Sequence, residues 1–431
     1  MTTALILLFV VLLVVLAFEY INGFHDTANA IATVVSTKVL TPRQALLLAS
    51  GMNLVGAFFG QAVAKTIHSG IVDDKIVAVT TLTVFCAMMG GIIWNLVTWW
   101  FGMPSSSTHA LVGGLIGASL GAAKGNWHVL IWSRVKIDKV TGAESMEGIF
   151  HKVVVPMITS PLLGLTVGFL LMGFIFALLC HKWPYLTAGL GGLVGALAGW
   201  HVPVLLLHLW HMLTGSQYHL PEWLLTLTAI AGYVAVTIQC WRMGGWHCHK
   251  VNTVFSKLQV FSAAYMGFGH GMADAQKTMG VIMLTLFAAT QAGELNGLPE
   301  WMGFLKIADK SATIPTWIIM TCAITMAAGT YAGGWRIIKT LGHKMVKMKP
   351  VHGFAAETTA ATILAVTGYM GMPVSTTHTI TTSIMGVGAA KRWNAIQWSL
   401  VERIVWAWIM TIPVTALLSY GIYKLCAIWA A

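Results

Sequence analysis

Charge is what this chain lacks. Of its 431 residues only 9% are Asp, Glu, Lys or Arg, while 57% are hydrophobic. Soluble domains carry about 25% charged and about 45–50% apolar residues. A soluble chain of this length would have too few charges to cover its surface. That excludes a soluble enzyme, a nucleic-acid binder and a disordered scaffold. Regular alternation of apolar and polar residues is missing too, which excludes a β-barrel. Cysteine is sparse: Cys86, Cys180, Cys240, Cys248, Cys322 and Cys426 show no regular spacing. No disulfide framework is expected, and these residues read as small buried side chains. No Lys or Arg precedes Lys38. The apolar stretch 4–18 therefore lacks the positive start of a cleaved signal peptide. It is expected to remain as a membrane helix with its N-terminus outside.

What is present is a series of apolar segments between residues 4 and 428. They predict an all-α polytopic membrane protein with about 12 transmembrane segments. Two segments are long enough to span with a break in the middle. Two pairs, 79–101/104–122 and 353–371/373–390, are joined by Gly-Met-Pro with no polar loop. Such joints predict re-entrant hairpins, because backbone freed by proline is tolerated at membrane depth only inside protein or beside a wet cavity.

The charge balance is 25 basic against 14 acidic residues, a net +11. With the two hairpins re-entrant, most of the excess basic residues fall on one side. Lys38, Arg43, Lys182, Arg242, Lys250, Lys257, Arg336, Lys339, Lys344, Lys347, Lys349, Lys391 and Arg392 all land there. The other side receives Asp73, Asp74, the mixed loop 123–151, the 214–221 turn and the loop with Glu294, Glu300 and Asp309. The excess positive charge thus reads as a cytoplasmic-loop signal, with both termini outside.

The chain repeats itself. Asn22-Gly23-Phe24-His25-Asp26-Thr27-Ala28-Asn29-Ala30 matches His270-Gly271-Met272-Ala273-Asp274-Ala275-Gln276-Lys277 with Gly and Asp at a shift of 248. Gly102-Met103-Pro104-Ser105-Ser106-Ser107-Thr108-His109 matches Gly371-Met372-Pro373-Val374-Ser375-Thr376-Thr377-His378 at a shift of 269. With the charges placed as above, the halves are inverted. The expected division is 1–180 as a first repeat with hairpin 79–122, 181–257 as connector helices and a cytoplasmic loop, and 258–431 as a second repeat with hairpin 353–390. Inverted repeats of this kind mark secondary transporters, with the substrate between the repeats.

Asp26 and Asp274 are carboxylates within apolar segments, where a charge is costly and usually faces a cavity or a partner. A purely structural role is the alternative, with Asp274 neutralised by Lys277 one turn away. Their matched repeat positions favour function, as ligands to a coupling cation or as proton carriers. The two hydroxyl runs each follow a proline and open an apolar helix. Free N–H groups, the positive helix end and clustered hydroxyls from Ser105, Ser106, Ser107, Thr108, Ser375, Thr376 and Thr377 make an anion cradle. Simple N-capping is the bland alternative. Two opposed cradles suit a tetrahedral oxyanion. His109 and His378 read as structural donors, His25 as a possible proton site. Glu19, Lys65 and Glu357 are further ionisable residues in apolar surroundings.

Other features read as structural. The small-residue stripes Gly113-x3-Gly117-x3-Gly121 and Gly191-x3-Gly195-x3-Gly199 predict close helix packing. The second stripe leaves a homodimer open. Trp246-His247-Cys248-His249 lacks a second ligand pair at zinc spacing and reads as a cytoplasmic loop.

At its two signature pairs the sequence resembles the inorganic phosphate transporter (PiT) family of sodium- and proton-coupled carriers. These pairs are Gly-x-x-Asp-x-Ala-Asn-Ala with Gly-x-x-Asp-x-Gln-Lys, and Pro-Ser-Ser-Ser-Thr-His with Pro-Val-Ser-Thr-Thr-His. The resemblance spans about 1–122 and 258–428. It implies an inverted-repeat carrier working by alternating access. It implies phosphate held by Asp26, Asn29, Ser106, Ser107, Thr108, Asp274, Gln276, Ser375, Thr376 and Thr377, with Lys277 pairing Asp274 or the phosphate. Family members often carry Asn just before the signature Asp; here His25 and Ala273 stand there. His25 resembles the bacterial, low-affinity, proton-coupled branch. Ala273 removes an amide oxygen that could ligate sodium.

The expected function is therefore phosphate symport, coupled to protons, with phosphate carried as a metal–phosphate complex as that branch does. Coupling-ion residues are expected among Asn22, His25, Asp26, Asp274 and Glu357. Sulfate symport, sodium-coupled phosphate symport and an anion channel are the alternatives. Sulfate has no proton to donate to carboxylates at neutral pH, which favours phosphate. A channel would show a continuous polar stripe. An intramembrane enzyme would not need duplicated copies, so no catalytic residue is expected. No resident metal, cofactor or nucleic-acid partner is expected either. The partners are phosphate, the coupling ion and membrane lipid, and the expected location is the bacterial inner membrane, crossed many times.

Overall fold

Thirty-four residues rich in Leu, Val and Ala form the first helix, α1 (Thr3–Ser36). Its hydrophobicity runs nearly all round, as expected for a helix walled by other helices or lipid. The computed structural model describes residues 3–69, 72, 79–137, 144–180, 184–214, 221–243, 248–296, 298–309 and 313–430. Asp73, Asp74, Lys182, most of the 214–221 turn, Trp246 and His247 lie outside the described residues.

After α1 come α2 (Pro42–Gly56), α3 (Ala62–Ser69), α4 (Thr81–Trp100) and α5 (Ser107–Ala122). A short antiparallel ribbon, β1 (Arg134–Ile137) and β2 (Glu144–Glu147), leads to α6 (Val155–Leu179). Next follow α7 (Pro184–Thr214), α8 (Glu222–Met243) and α9 (Cys248–Gln291). The chain ends with α10 (Thr316–Ala332), α11 (Trp335–Lys339), α12 (Pro350–Tyr369), α13 (Thr376–Lys391) and α14 (Trp398–Ala430). Among the described residues, five helical stretches are long and apolar enough to cross a membrane: Leu5–Ser36, Thr81–Trp100, Phe150–Leu179, Glu222–Met243 and Trp398–Ile428. Many large apolar side chains, Leu13, Leu170 and Leu417 among them, stand on the outer surface. In water such a surface would aggregate; in lipid it is the natural solvent face. The chain is a multi-pass membrane protein.

Two compact units make up the chain. One holds residues up to Phe169 together with those from Phe255 onward, and the other is Leu170–Val254. In the smaller unit α7 and α8 run antiparallel, with Gly192 against Thr237, Gly195 against Gly232 and Gly199 against Thr228. The Gly191–Gly199 stripe is therefore spent on packing within the chain.

The larger unit carries the same contacts twice. A Cβ at Gly56 would strike the Phe268 carbonyl; one at Gly329 would strike the Tyr20 carbonyl. Phe268 and Tyr20 differ by the repeat shift of 248. So α2 packs on α9 as α10 packs on α1, each half bracing the other. The outer pairs repeat likewise. Gly117 of α5 meets Ala416 of α14, and Gly386 of α13 meets Leu165 of α6. The Gly113–Gly121 stripe thus seats α14, which explains why only small residues fit there.

The hairpins also match. Gly102 (φ 64°) and Gly371 (φ 66°) both turn the chain through the left-handed region that side-chain-bearing residues avoid. Both glycines, and the residues from Pro104 and Pro373 onward, are buried in the chain. Two expectations need correction. Pro104 and Pro373 do not open their helices. The N-caps are Ser106 and Ser375, both in extended backbone, so each proline lies in the extended lead-in. Nor is either long segment broken: α1 and α9 run as continuous helices of 34 and 44 residues. Asp26, Asn29 and Thr33 of α1 and Asp274 of α9 find partners on neighbouring elements, so the backbone ladder does not open to serve them.

Candidate functional site

Asp26 lies near the centre of the site. It sits on α1 with 2% exposure, and donors reach it from two other segments, with its own neighbour His25 beside it. Ser107 Oγ, at the start of α5, donates to Asp26 Oδ2 at 2.8 Å. Thr377 Oγ1, at the start of α13, approaches Oδ1 at 3.4 Å. His25 Nδ1 lies 2.6 Å from Oδ1. The other ring nitrogen of His25 is 3.1 Å from Thr98 Oγ1 and 3.3 Å from Ser105 Oγ. Asn29, one turn on, donates to Thr377 Oγ1 at 2.9 Å and to Thr376 Oγ1 at 3.3 Å.

Asp274 is the second centre, on α9 and fully buried. Lys277 contacts its Oδ1 and also the Thr108 hydroxyl. Thr376 Oγ1 donates to Oδ2 at 3.2 Å. His270 Nε2 stands 3.1 Å from the same oxygen, as an ion-pair neighbour without hydrogen-bond alignment. Its Nδ1 meets Asn53 Oδ1 at 3.2 Å, and Asn53 in turn donates to Thr330 Oγ1 at 2.8 Å.

Residues from both halves are thereby brought together. Asp26, Asn29, Ser107, Thr108, Asp274, Lys277, Thr376 and Thr377 form one connected polar cluster, with His25 at its edge. An anion entering here would meet four hydroxyls, the Asn29 amide and the Lys277 ammonium as donors. Asp26 and Asp274 are the acceptors for any proton the anion brings. In the geometry described, most of these groups satisfy one another, as buried polar groups generally do, while Asn29 Oδ1 has no partner among the described residues.

Other expected residues fall elsewhere. Ser106 and Ser375 accept from the backbone N–H of His109 and His378, both at 3.2 Å. The capping alternative is what their oxygens do. Gln276 points away from the cluster: its amide bonds Met272 O at 2.7 Å and Phe59 O at 3.3 Å, and it accepts from Val63 N at 3.0 Å. Asn22 donates to Glu19 at 3.3 Å. Glu357 collects Thr33, Ser262 and Gln259, two turns along α1 from Asp26. It fastens α1, α9 and α12 together. His109 and His378 are not hydrogen-bond donors in the expected sense. His109 Nδ1 and both nitrogens of His378 lack partners among the described residues. His378 instead stacks on Trp408 at 3.9 Å.

Some participants are invisible in the repeats. Thr98, Asn53 and Thr330 have no motif, but each is a polar side chain in an apolar helix, and that is the signal that finds them. A ligand set was also missed. One ligand atom each from Asp26, His270 and Asp274 lie within 4.8 Å of one another, a grouping able to hold a metal ion. No spacing rule predicts it, because Asp26 comes from the other half.

Fold and site together define a polytopic helical membrane protein whose two halves place matched carboxylates and matched hydroxyl runs at one buried centre. The sequence profile described as "Phosphate transporter family" matches residues 22–419, and the chain belongs to that family. Its members are transporters, and the chain is not an enzyme. A Rhizobium meliloti protein described as "Probable low-affinity inorganic phosphate transporter" is 36% identical over 97% of this chain and 96% of its own length. A Bacillus subtilis protein with the same description is 33% identical over 97% and 96%. A solved structure described as "The sodium-dependent phosphate transporter" shares the fold, with a TM-score of 0.73 and 23% identity over 98% of this chain and 99% of that one.

Proposed function

We propose that the chain carries inorganic phosphate across a bacterial inner membrane by alternating access, in symport with protons. The observation that carries this reading is the convergence on Asp26 of donors from both hairpins, Ser107 and Thr377. Phosphate replaces the contacts these groups make with one another. Hydrogen phosphate donates its own proton to a carboxylate, as sulfate at neutral pH does not. The His25–Asp26 pair, at 2.6 Å, holds the transported proton, while Thr98 and Ser105 orient the ring through its other nitrogen.

Residues 1–180 and 258–431 act as inverted repeats, with both termini outside and the hairpin tips within the membrane. Rocking of one repeat against the other exposes the cluster alternately to each side. Asp26, His270 and Asp274 offer oxygen and nitrogen ligands to a divalent cation, which supports transport of phosphate as a neutral metal complex. Sodium coupling is the second reading, favoured by the likeness in fold to a protein described as sodium-dependent.

The test is uptake of labelled phosphate into proteoliposomes under an imposed pH gradient or an imposed sodium gradient. Uphill uptake driven by the pH gradient alone is expected. Uptake driven only by sodium selects the second reading, and uptake of sulfate without phosphate overturns the substrate.

A further inference from the structure

Lys344 and Lys347, which follow α11, meet Lys391 and Arg392 from the end of α13 around one pocket. With Asn394 and Gln397 they line an open cavity of about 470 Å³, and all six side chains are exposed. The Gln397 N–H donates to Met345 O at 3.2 Å, and Val346 covers the bare Cα of Gly388, so the two stretches are held side by side. None of these cations has an ion pair or side-chain hydrogen bond among the described residues. Between Arg336 and Arg403 the only acids are Glu357 and Glu402. Glu357 is buried and bound by Thr33, Gln259 and Ser262. Glu402 does not line the cavity. A cytoplasmic-loop signal asks only for the number of cations on one side, not for their convergence. Gathering like charges with no acid between them is unfavourable, and a bound anion offsets that.

The surroundings select the kind of anion. A smaller cleft of about 180 Å³ adjoins the cavity and shares Lys344 with it. Phe101, Met103, Leu400 and Ile404 give this cleft apolar walls, together with the cation Arg403. It lies between the Gly102 turn and the start of α14, a helix long and apolar enough to cross a membrane. Trp393 and Trp398 flank the cavity residues Asn394 and Gln397 in the chain, and both are exposed. Their ring centroids are 4.8 Å apart, and Trp398 Nε1 donates to Trp393 O at 3.3 Å. Exposed tryptophans at the end of a spanning helix mark the boundary between lipid and water. A basic pocket at that boundary, joined at Lys344 to an apolar cleft, offers both surfaces that an amphiphile needs.

We infer that the cavity and cleft together bind an anionic phospholipid. Its headgroup phosphate sits among Lys344, Lys347, Lys391 and Arg392, and an acyl chain lies along Phe101, Met103, Leu400 and Ile404. The Arg392 guanidinium is a planar fork suited to two phosphate oxygens, and the lysines act as point charges around it. The amides of Asn394 and Gln397 supply neutral donors for the remaining oxygens. Free inorganic phosphate would use the cations and leave the cleft unused. A zwitterionic lipid would bring a cation of its own into a field that is already positive. A lipid seated here touches the Phe101–Pro104 turn, which leads into the Ser105–Thr108 run. It adjoins the Asp26–Asp274 cluster without entering it, and the inference does not depend on what that cluster carries.

The experiment is native mass spectrometry of the purified, delipidated full-length protein in detergent, titrated with phosphatidylglycerol or phosphatidylcholine. The wild type is expected to retain phosphatidylglycerol in preference. Lys391→Gln with Arg392→Gln is expected to weaken that binding by roughly fivefold for each cation removed, and Lys344→Gln with Lys347→Gln to do the same. Both double variants change exposed side chains, and size-exclusion chromatography checks their fold; each tests the site without the other. Lys38→Gln with Arg43→Gln removes the same charge from another exposed loop and is expected to leave binding unchanged. Inorganic phosphate and glycerol phosphate, which have no acyl chain, are expected not to displace the lipid at constant ionic strength. Equal retention of the two lipids by the wild type overturns the proposal. So does an equal loss in the Lys38/Arg43 variant, which would reduce the effect to net charge. Displacement by inorganic phosphate would give the cavity to the free anion and overturn it as well.

Discussion

His109 and His378 meet edge to face at the centre of the larger unit, with ring centroids 4.8 Å apart. They occupy the same position in the two hydroxyl runs, so the chain places one residue of each half against its own counterpart. With three of their four ring nitrogens unpartnered among the described residues, the contact is one of shape and aromatic packing. Trp408 stacks on the His378 ring, with centroids 3.9 Å apart.

The first prediction follows from that contact. His378→Ala removes a ring held between His109 and Trp408, and is expected to cost about 2 kcal/mol or more of stability. His378→Phe keeps a ring of similar outline and is expected to retain most of it. Thermal unfolding of both variants in detergent checks this. Full stability in the alanine variant would show that the stack holds nothing together.

Asp26 and Asp274 are each the meeting point of several donors. Asp26→Asn and Asp274→Asn are expected to lower phosphate uptake by about 10²-fold or more, on the scale of losing one preorganised charged contact. Membrane insertion should stay intact, and uptake is scored per folded protein because Asp274→Asn strands Lys277. A variant that transports at the wild-type rate removes that aspartate from the site.

Lys277 is 2% exposed and holds Asp274 as a buried pair. Removing one partner of such a pair strands the other, at a cost of about 3–5 kcal/mol. Lys277→Met is therefore expected to be unstable, and Lys277→Met with Asp274→Asn to regain a good part of the loss. A double-mutant cycle on melting temperature measures the coupling. Purely additive effects would mean that the two side chains do not depend on each other.

Gly329 and Gly56 stand at equivalent crossings, each pressed on a carbonyl of the other half. Gly329→Leu and Gly56→Leu are expected to be similarly damaging, with loss of folded protein in size-exclusion chromatography. Overpacking in a tight core typically costs about 1–3 kcal/mol, and these contacts leave no room for relief. If one leucine variant folds normally and the other does not, the two crossings are not equivalent.

The repeat was legible in the sequence because Gly, Asp, Pro and His recur at fixed shifts, and each has a geometric reason to recur. The central carboxylates and hydroxyls were legible for the same reason: a charge or a hydroxyl run is conspicuous in an apolar chain. Partner identity was harder to read. Nothing in the motif turns Gln276 towards Phe59 while Asn29 turns towards Thr377. That choice depends on which backbone atoms the neighbouring helix leaves free. Asn95 and Thr98 carry no sequence signal, because a single amide or hydroxyl in a helix has no local pattern. Their meaning comes only from the facing stripe of α1. The continuous course of α1 and α9 was hidden as well, since length alone does not say whether a long apolar run bends.

The crossing of α10 over α1 also sets a timetable. Thr330 donates to the Gly23 carbonyl, 307 residues earlier in the chain. At about 5–20 residues per second, a ribosome needs roughly 15–60 s to supply the second after the first. During that interval α1 sits in the bilayer with its buried aspartate and asparagines lacking their final neighbours. A nascent first half is thus an incomplete product that membrane quality control can recognise. Two half-genes should yield a working protein only when both are expressed in the same cell.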